Sequence, residues 1–160
     1  GVEVPFLRPA ALSGDTATSE DVLIHALDAL GGDFTLAVLL QPTSPLCLGE
    51  DIDAAIEACV AAKAPACVSV CAPSKPLAWL MTTNAAGHLQ RVFGAAQVPN
   101  PAYRPNGAVF VVDVASFRLN KSFYPASAVA SVMPAERSID VDTEADRAMA
   151  DGLLRRRFNQ

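Results

Sequence analysis

The sequence predicts one layered α/β domain, and three observations predict it. Helical and strand-like segments alternate through the first half of the chain. Two uninterrupted apolar runs, Phe34–Leu40 and Ala66–Cys71, have the length of strands rather than helices. The chain has 160 residues, 51% hydrophobic and 18% charged, which is enough for one core and too little for two. Strands alternating with helices point to βαβ units and a mostly parallel sheet.

Taken in order, Leu7–Asp15 reads as loop through Arg8-Pro9 and Ser13-Gly14-Asp15. Thr18 or Ser19 caps a first helix, with Glu20 and Asp21 in its first turn, and Gly31-Gly32 ends it. Phe34–Leu40 suits a strand buried on both faces. Gln41-Pro42-Thr43-Ser44-Pro45 is a rigid turn. A second helix over 50–62 carries Ile52, Ala55, Ile56, Cys59 and Val60 on one stripe. Ala66–Cys71 is the next strand. From Ala72 to Pro105 the chain leaves this pattern, and Leu77–Thr82 with His88–Val92 reads as a small hairpin around Asn84-Ala85-Ala86-Gly87. Ala108–Val112 resumes as a buried strand. A short helix follows at 115–119, then an edge strand at 128–132 and a short strand or strand end at 139–142. The last helix spans 143–158 and ends on Arg155–Arg157.

A formal charge of −5 argues against a nucleic-acid partner. No apolar run approaches the roughly 18 residues of a membrane span. The first residues show neither a basic region nor an apolar stretch of the signal-peptide kind, and the chain opens on Gly1 rather than Met, so trimming is expected. Cys47, Cys59, Cys67 and Cys71 match no paired zinc spacing and read as buried, reduced thiols, which favours the cytoplasm.

Among residues able to carry chemistry, Asp140 and Asp142 stand at i and i+2, so on a strand both carboxylates share one face. Such a pair suits Mg²⁺, which takes one or two carboxylates and completes its shell with phosphate oxygens. Asp146 offers a third group. Alternatively Asp142 or Thr143 caps the last helix, and the two roles are compatible. Gln41 follows a strand, where open α/β sheets bind ligands, or it belongs to a plain turn. Arg104 precedes another strand and can grip a carboxylate or phosphate, or lie free in solvent; Arg8 is similar. His25 reads as structural and His88 as an exposed turn residue. Phe123 and Tyr124 wall a pocket or pack in the core. Neither a G-x-S-x-G elbow nor a G-x-G-x-x-G fingerprint is present.

Four segments together are similar to the acylneuraminate cytidylyltransferases, the CMP-sialic acid synthetases. They are Arg8-Pro9 with Asp15–Ser19 and His25-Ala26-Leu27; Leu39–Leu46; Tyr103–Ala108; and Ile139–Glu144. They occur in family order over nearly the whole chain. The resemblance implies a Rossmann-like, three-layer nucleotidyltransferase fold. It implies transfer of CMP from CTP to the anomeric hydroxyl of a nine-carbon 2-keto sugar acid, with release of pyrophosphate and a requirement for Mg²⁺. Carried onto this sequence, Arg8, Ala17 and Ser19 lie at the cytidine. Gln41, Arg104 and Asn106 lie at the sugar acid, Phe110, Phe123 and Tyr124 shape its pocket, and Asp140 and Asp142 hold the metal. The resemblance further implies a homodimer in which the irregular segment 72–105 reaches the partner's site.

The chain also departs from the family's pattern. The Gly-rich basic loop that wraps the CTP phosphates has no counterpart here, so residues 1–160 are expected to form one domain incomplete at its N-terminal side, and inactive alone. Cys47 stands where the family has arginine. Ala95-Ala96-Gln97 replaces an arginine-rich stretch, and Ala78 replaces a lysine. Two alternatives follow: a pseudoenzyme that binds nucleotide or sugar without turnover, or a synthetase for another keto-sugar acid such as Kdo, legionaminic or pseudaminic acid.

Overall fold

The computed structural model describes residues 2–94, 98 and 101–158. Its principal elements are α1 (Ser19–Leu30), β1 (Leu36–Leu40), α2 (Gly49–Ala62), β2 (Ala66–Cys71), β3 (Met81–Thr83), β4 (Leu89–Arg91), β5 (Arg104–Asp113), α3 (Val114–Asn120), β6 (Val129–Val132) and α4 (Glu144–Phe158). Among the described residues no helix is long and apolar enough to cross a membrane.

Four strands form one sheet in the order β1-β5-β2-β6. β1, β2 and β6 run in one direction. β5 runs against them and lies between β1 and β2, pairing Leu40 with Val109 on one side and Cys71 with Arg104 on the other. The expected mostly parallel sheet is therefore mixed, with three of its four strands parallel in direction. The register between β2 and β5 shifts between Val68 and Val70, which marks a bulge.

Two apolar clusters cover the two faces. Leu23 and Leu27 of α1, Phe117 of α3 and Phe123 pack on Val68, Phe110 and Val112. Ala55 and Cys59 of α2 pack on Cys67, Val109, Val111 and Met133 on the opposite face. Helices on both sides of one sheet give the three-layer arrangement. Every residue of β2 is buried, as its unbroken apolar run requires. Burying a side chain such as Phe117 stabilises by about 1.5–3 kcal/mol.

Several expectations are corrected. β1 is shorter than Phe34–Leu40 and only half-buried, because it is an edge strand: Phe34 and Leu40 are about half exposed, and no strand pairs with its outer edge among the described residues. Val60 leaves the apolar stripe of α2 and faces solvent. Leu77–Trp79 is a turn of 3₁₀ helix, and the hairpin itself is only β3 and β4. Residues 139–142 form no strand. Val141 N–H makes a single backbone bond, to the Thr43 carbonyl (2.8 Å), so the two segments touch without forming a ladder.

Helix ends follow local chemistry. Thr18 caps α1 by accepting from the Asp21 N–H, and Gly31 ends it at φ +62°. Thr143 and Asp146 bond reciprocally at the start of α4. The Thr143 hydroxyl, donating to the Asp146 carboxylate, holds that acid below its ordinary range.

Candidate functional site

The carboxyl ends of β1, β2 and β6 and the beginning of β5 meet at one edge of the sheet. Ligands bind beyond such an edge in open α/β sheets. Gln41 leaves the end of β1, Asn106 and Gly107 lie at the start of β5, and the segment carrying Asp140 follows β6.

Gly107 is the floor of this site. It sits at φ +77°, a region that side chains disfavour. A Cβ placed on it would lie 2.7 Å from Asp140 Oδ2 and 2.9 Å from Gln41 Oε1. Two oxygens from distant parts of the chain thus approach the same point, and only a glycine leaves them room. Asp140 Oδ1 is buried and has no hydrogen-bond partner among the described residues. A buried carboxylate oxygen without a donor is costly unless a cation or proton meets it.

Asn106 is 1% exposed and fully engaged. Its Oδ1 accepts from Ser69 Oγ (2.6 Å) and from the Ala108 N–H (3.2 Å). Its Nδ2 donates to Ser138 Oγ (2.8 Å) and to Met133 Sδ (3.2 Å). Asn106, expected at the sugar acid, here has every atom of its amide engaged within the protein, and it braces three segments from within.

Of the remaining candidates, Asp142 is exposed, two residues beyond Asp140 in loop rather than strand. Asp146 serves the cap of α4 instead of supplying a third ligand. Arg104 is exposed, and its guanidinium makes one long bond, to the Pro105 carbonyl (3.4 Å). Phe110 and Phe123 are core residues, 5.0 Å apart between ring centroids, while the Tyr124 ring meets Phe110 edge-on at the surface. Burial pushes the Tyr124 phenol above its ordinary pKa. Arg8 is exposed, Ala17 N–H bonds to Gly14, and Ser19 begins α1. Among the described residues no side-chain bond joins Arg8, Ala17 or Ser19 to Gln41 or Asp140. His25 meets Phe6 edge-on, and its Nδ1 is buried without the partner a structural histidine was expected to have.

A cleft of about 270 Å³ opens beside Gln41, between the Pro42–Pro45 turn and the start of α2. Ser44 lines it, 6% exposed, with a hydroxyl that has no partner among the described residues. Cys47 lines it too. All four cysteines are free, and Cys47 alone is not fully buried. Burial pushes its thiol up and the Asp51 charge adds to the shift, so Cys47 supplies neither a cation nor a ready thiolate. The Ala95–Gln97 stretch lies outside the described residues.

Asp51 is the residue that sequence reasoning missed. It sits in the first turn of α2, is 4% exposed, and accepts from the Leu48 N–H (3.0 Å). Arg137 grips it with two nitrogens at 2.8 and 2.9 Å and also reaches Glu50 at 3.0 Å. The only local signal was an acid at the third position of a helix, where it satisfies a free N–H.

The donors fit magnesium in kind. Asp140 Oδ2 and Gln41 Oε1 are the atoms that converge here, and oxygen is the donor a hard cation prefers. Among the described residues there is no group of three or more His, Cys, Asp or Glu side chains able to cage a metal. A site of this sort leaves most of an Mg²⁺ shell to water and to substrate oxygens.

The fold is a Rossmann-like α/β fold found among known structures. It is similar to 4-diphosphocytidyl-2C-methyl-D-erythritol synthase from Anaerococcus prevotii, at TM-score 0.62 and 14% identity, covering 88% of this chain and 68% of that one. No protein-family model matches the chain. The CMP-N,N'-diacetyllegionaminic acid synthase of Legionella pneumophila is 30% identical over 166 aligned positions, covering 96% of this chain and 70% of that protein. The N-acylneuraminate cytidylyltransferase of Streptococcus agalactiae serotype V is 34% identical over 151 positions, or 91% of this chain and 36% of that protein. The enzyme of the same name from Escherichia coli O18:K1:H7 is 27% identical over 97% of this chain and 38% of its own length. The chain belongs to the acylneuraminate cytidylyltransferase family of nucleotidyltransferases. It spans little more than a third of the Streptococcus and Escherichia relatives it matches.

Proposed function

We propose that this protein serves the transfer of CMP from CTP to the anomeric hydroxyl of a nine-carbon 2-keto sugar acid, with release of pyrophosphate. The observation that carries the reading is the oxygen cradle over Gly107: Asp140 Oδ2 and Gln41 Oε1 converge on it, and the other oxygen of the same carboxylate, Oδ1, is buried with no hydrogen-bond partner among the described residues. Bound Mg²⁺ would offset the charge that builds on the phosphates as pyrophosphate leaves. Asp140, with Asp142 nearby, would hold that ion. Gln41 would orient the sugar through its amide, and exposed Arg104 would meet the sugar carboxylate. Phe110 and Phe123 would act as a rigid wall behind Tyr124.

The segment 72–105 would dock on a second copy. Its hairpin and the 3₁₀ turn before it expose Trp79, Leu80, Met81 and Leu89, an apolar surface of the kind that partners cover.

A second reading, ligand binding without turnover, draws on Cys47. A neutral thiol stands where the family places an arginine, so one phosphate- or carboxylate-binding charge is gone.

Pyrophosphate release with CTP, Mg²⁺ and a panel of N-acetylneuraminate, legionaminate, pseudaminate and Kdo separates the two. Turnover on one acid, abolished by Asp140→Asn, supports the transferase. A rise in melting temperature with CTP or a sugar acid but no pyrophosphate supports binding alone. No shift and no product overturns both.

A further inference from the structure

The segment from β6 to α4 carries Asp140 yet contains no strand and only one turn of 3₁₀ helix, at Ala135–Arg137. It needs another source of order. Four anchors supply it in sequence. Met133 N–H bonds to the Val70 carbonyl (2.8 Å). Arg137 holds Asp51 in a two-pronged ion pair. Ser138 Oγ accepts from Asn106 and donates to the Pro134 carbonyl (2.8 Å). Val141 N–H bonds to Thr43 (2.8 Å). Asp140 lies between the last two.

The second anchor differs from the rest because it reaches α2. That helix begins directly after the turn holding Gln41 and Ser44. The Arg137–Asp51 pair therefore ties the segment bearing one oxygen of the cradle to the element that follows the other. A buried ion pair contributes little net stability, since desolvation offsets most of the attraction. A planar fork on a carboxylate instead fixes distance and angle together, which a lysine does not.

We propose that Arg137 and Asp51 are positioning residues that set the Asp140 carboxylate against Gln41 over Gly107. The inference rests on the reading of Asp140 as a cation ligand, and its test separates the two.

The test is amide hydrogen exchange combined with Mn²⁺ titration on the full chain, for the parent and for Arg137→Met, Arg137→Lys and Asp51→Asn. Exchange at Val141 is expected to quicken about tenfold in Arg137→Met while Val109–Val112 keep their protection. Mn²⁺ affinity is expected to fall about tenfold in the same variant. Arg137→Lys keeps the charge, stays folded if Arg137→Met does not, and is expected to show a smaller change of the same kind at Val141. Exchange at Val141 that moves only in step with the sheet amides overturns the proposal. Faster exchange at Val141 with unchanged Mn²⁺ affinity supports the clamp and overturns Asp140 as the cation ligand.

Discussion

Asn106, Ser69, Ser138 and Asp51, at the carboxyl edge of the sheet, are polar and buried, whereas the β3–β4 hairpin and the 3₁₀ turn before it leave Trp79, Leu80, Met81 and Leu89 apolar and in solvent. The first region draws on strands, loops and a helix far apart in sequence: Ser69 meets Asn106 across 37 residues and Arg137 meets Asp51 across 86. The second is local, with Asn84 accepting from the Ala86 and His88 N–H groups at the turn and Arg91 donating to the Ala78 carbonyl. The difference shows where this chain enforces geometry. Buried polar groups must all be matched at once, so the network has one arrangement. The hairpin is held by its own turn and by few contacts to the rest of the chain.

Three substitutions sharpen this contrast. The largest effect is expected from Asn106→Leu, which leaves Ser69, Ser138 and the Ala108 N–H short of partners and destabilises by about 3 kcal/mol. Urea unfolding checks it; a loss below about 1 kcal/mol would mean that water replaces the amide. Gly107→Ala comes next. Its Cβ collides with two oxygens at a positive φ, so about 1–3 kcal/mol is expected, together with loss of ligand-induced thermal shifts. Retained shifts would show that the cradle is not the site. Leu89→Ser is expected to change monomer stability by no more than about 0.5 kcal/mol. Sedimentation would then show whether it weakens self-association, as the dimer reading requires.

The sequence made much of this fold legible because apolar runs and caps are local signals. Thr18, Gly31, the buried run of β2 and the basic end of α4 stand where their neighbours place them. The antiparallel entry of β5 between β1 and β2 was not legible, since no residue in β5 encodes its direction. Gln41 and Asp140 were found as chemistry-bearing residues in suggestive places. That they meet over Gly107 needed coordinates, and so did the discovery that Asn106 faces inward. Asp51 escaped because a helix-end acid is ordinarily solvated, and its partner lies in another segment. The strand expected at 139–142 failed because two aspartates at alternate positions mimic a strand pattern, while Thr43 offers only one carbonyl to pair with.

The open edge of β1 has a practical consequence. Leu36-Ala37-Val38-Leu39-Leu40 contains neither a charge nor a proline, the usual guards of an exposed strand. Its outer N–H and C=O groups meet no strand among the described residues and offer a template that another extended chain can extend. One lysine placed on that edge is expected to lower any self-association of this polypeptide at high concentration without touching the cradle, which light scattering would read.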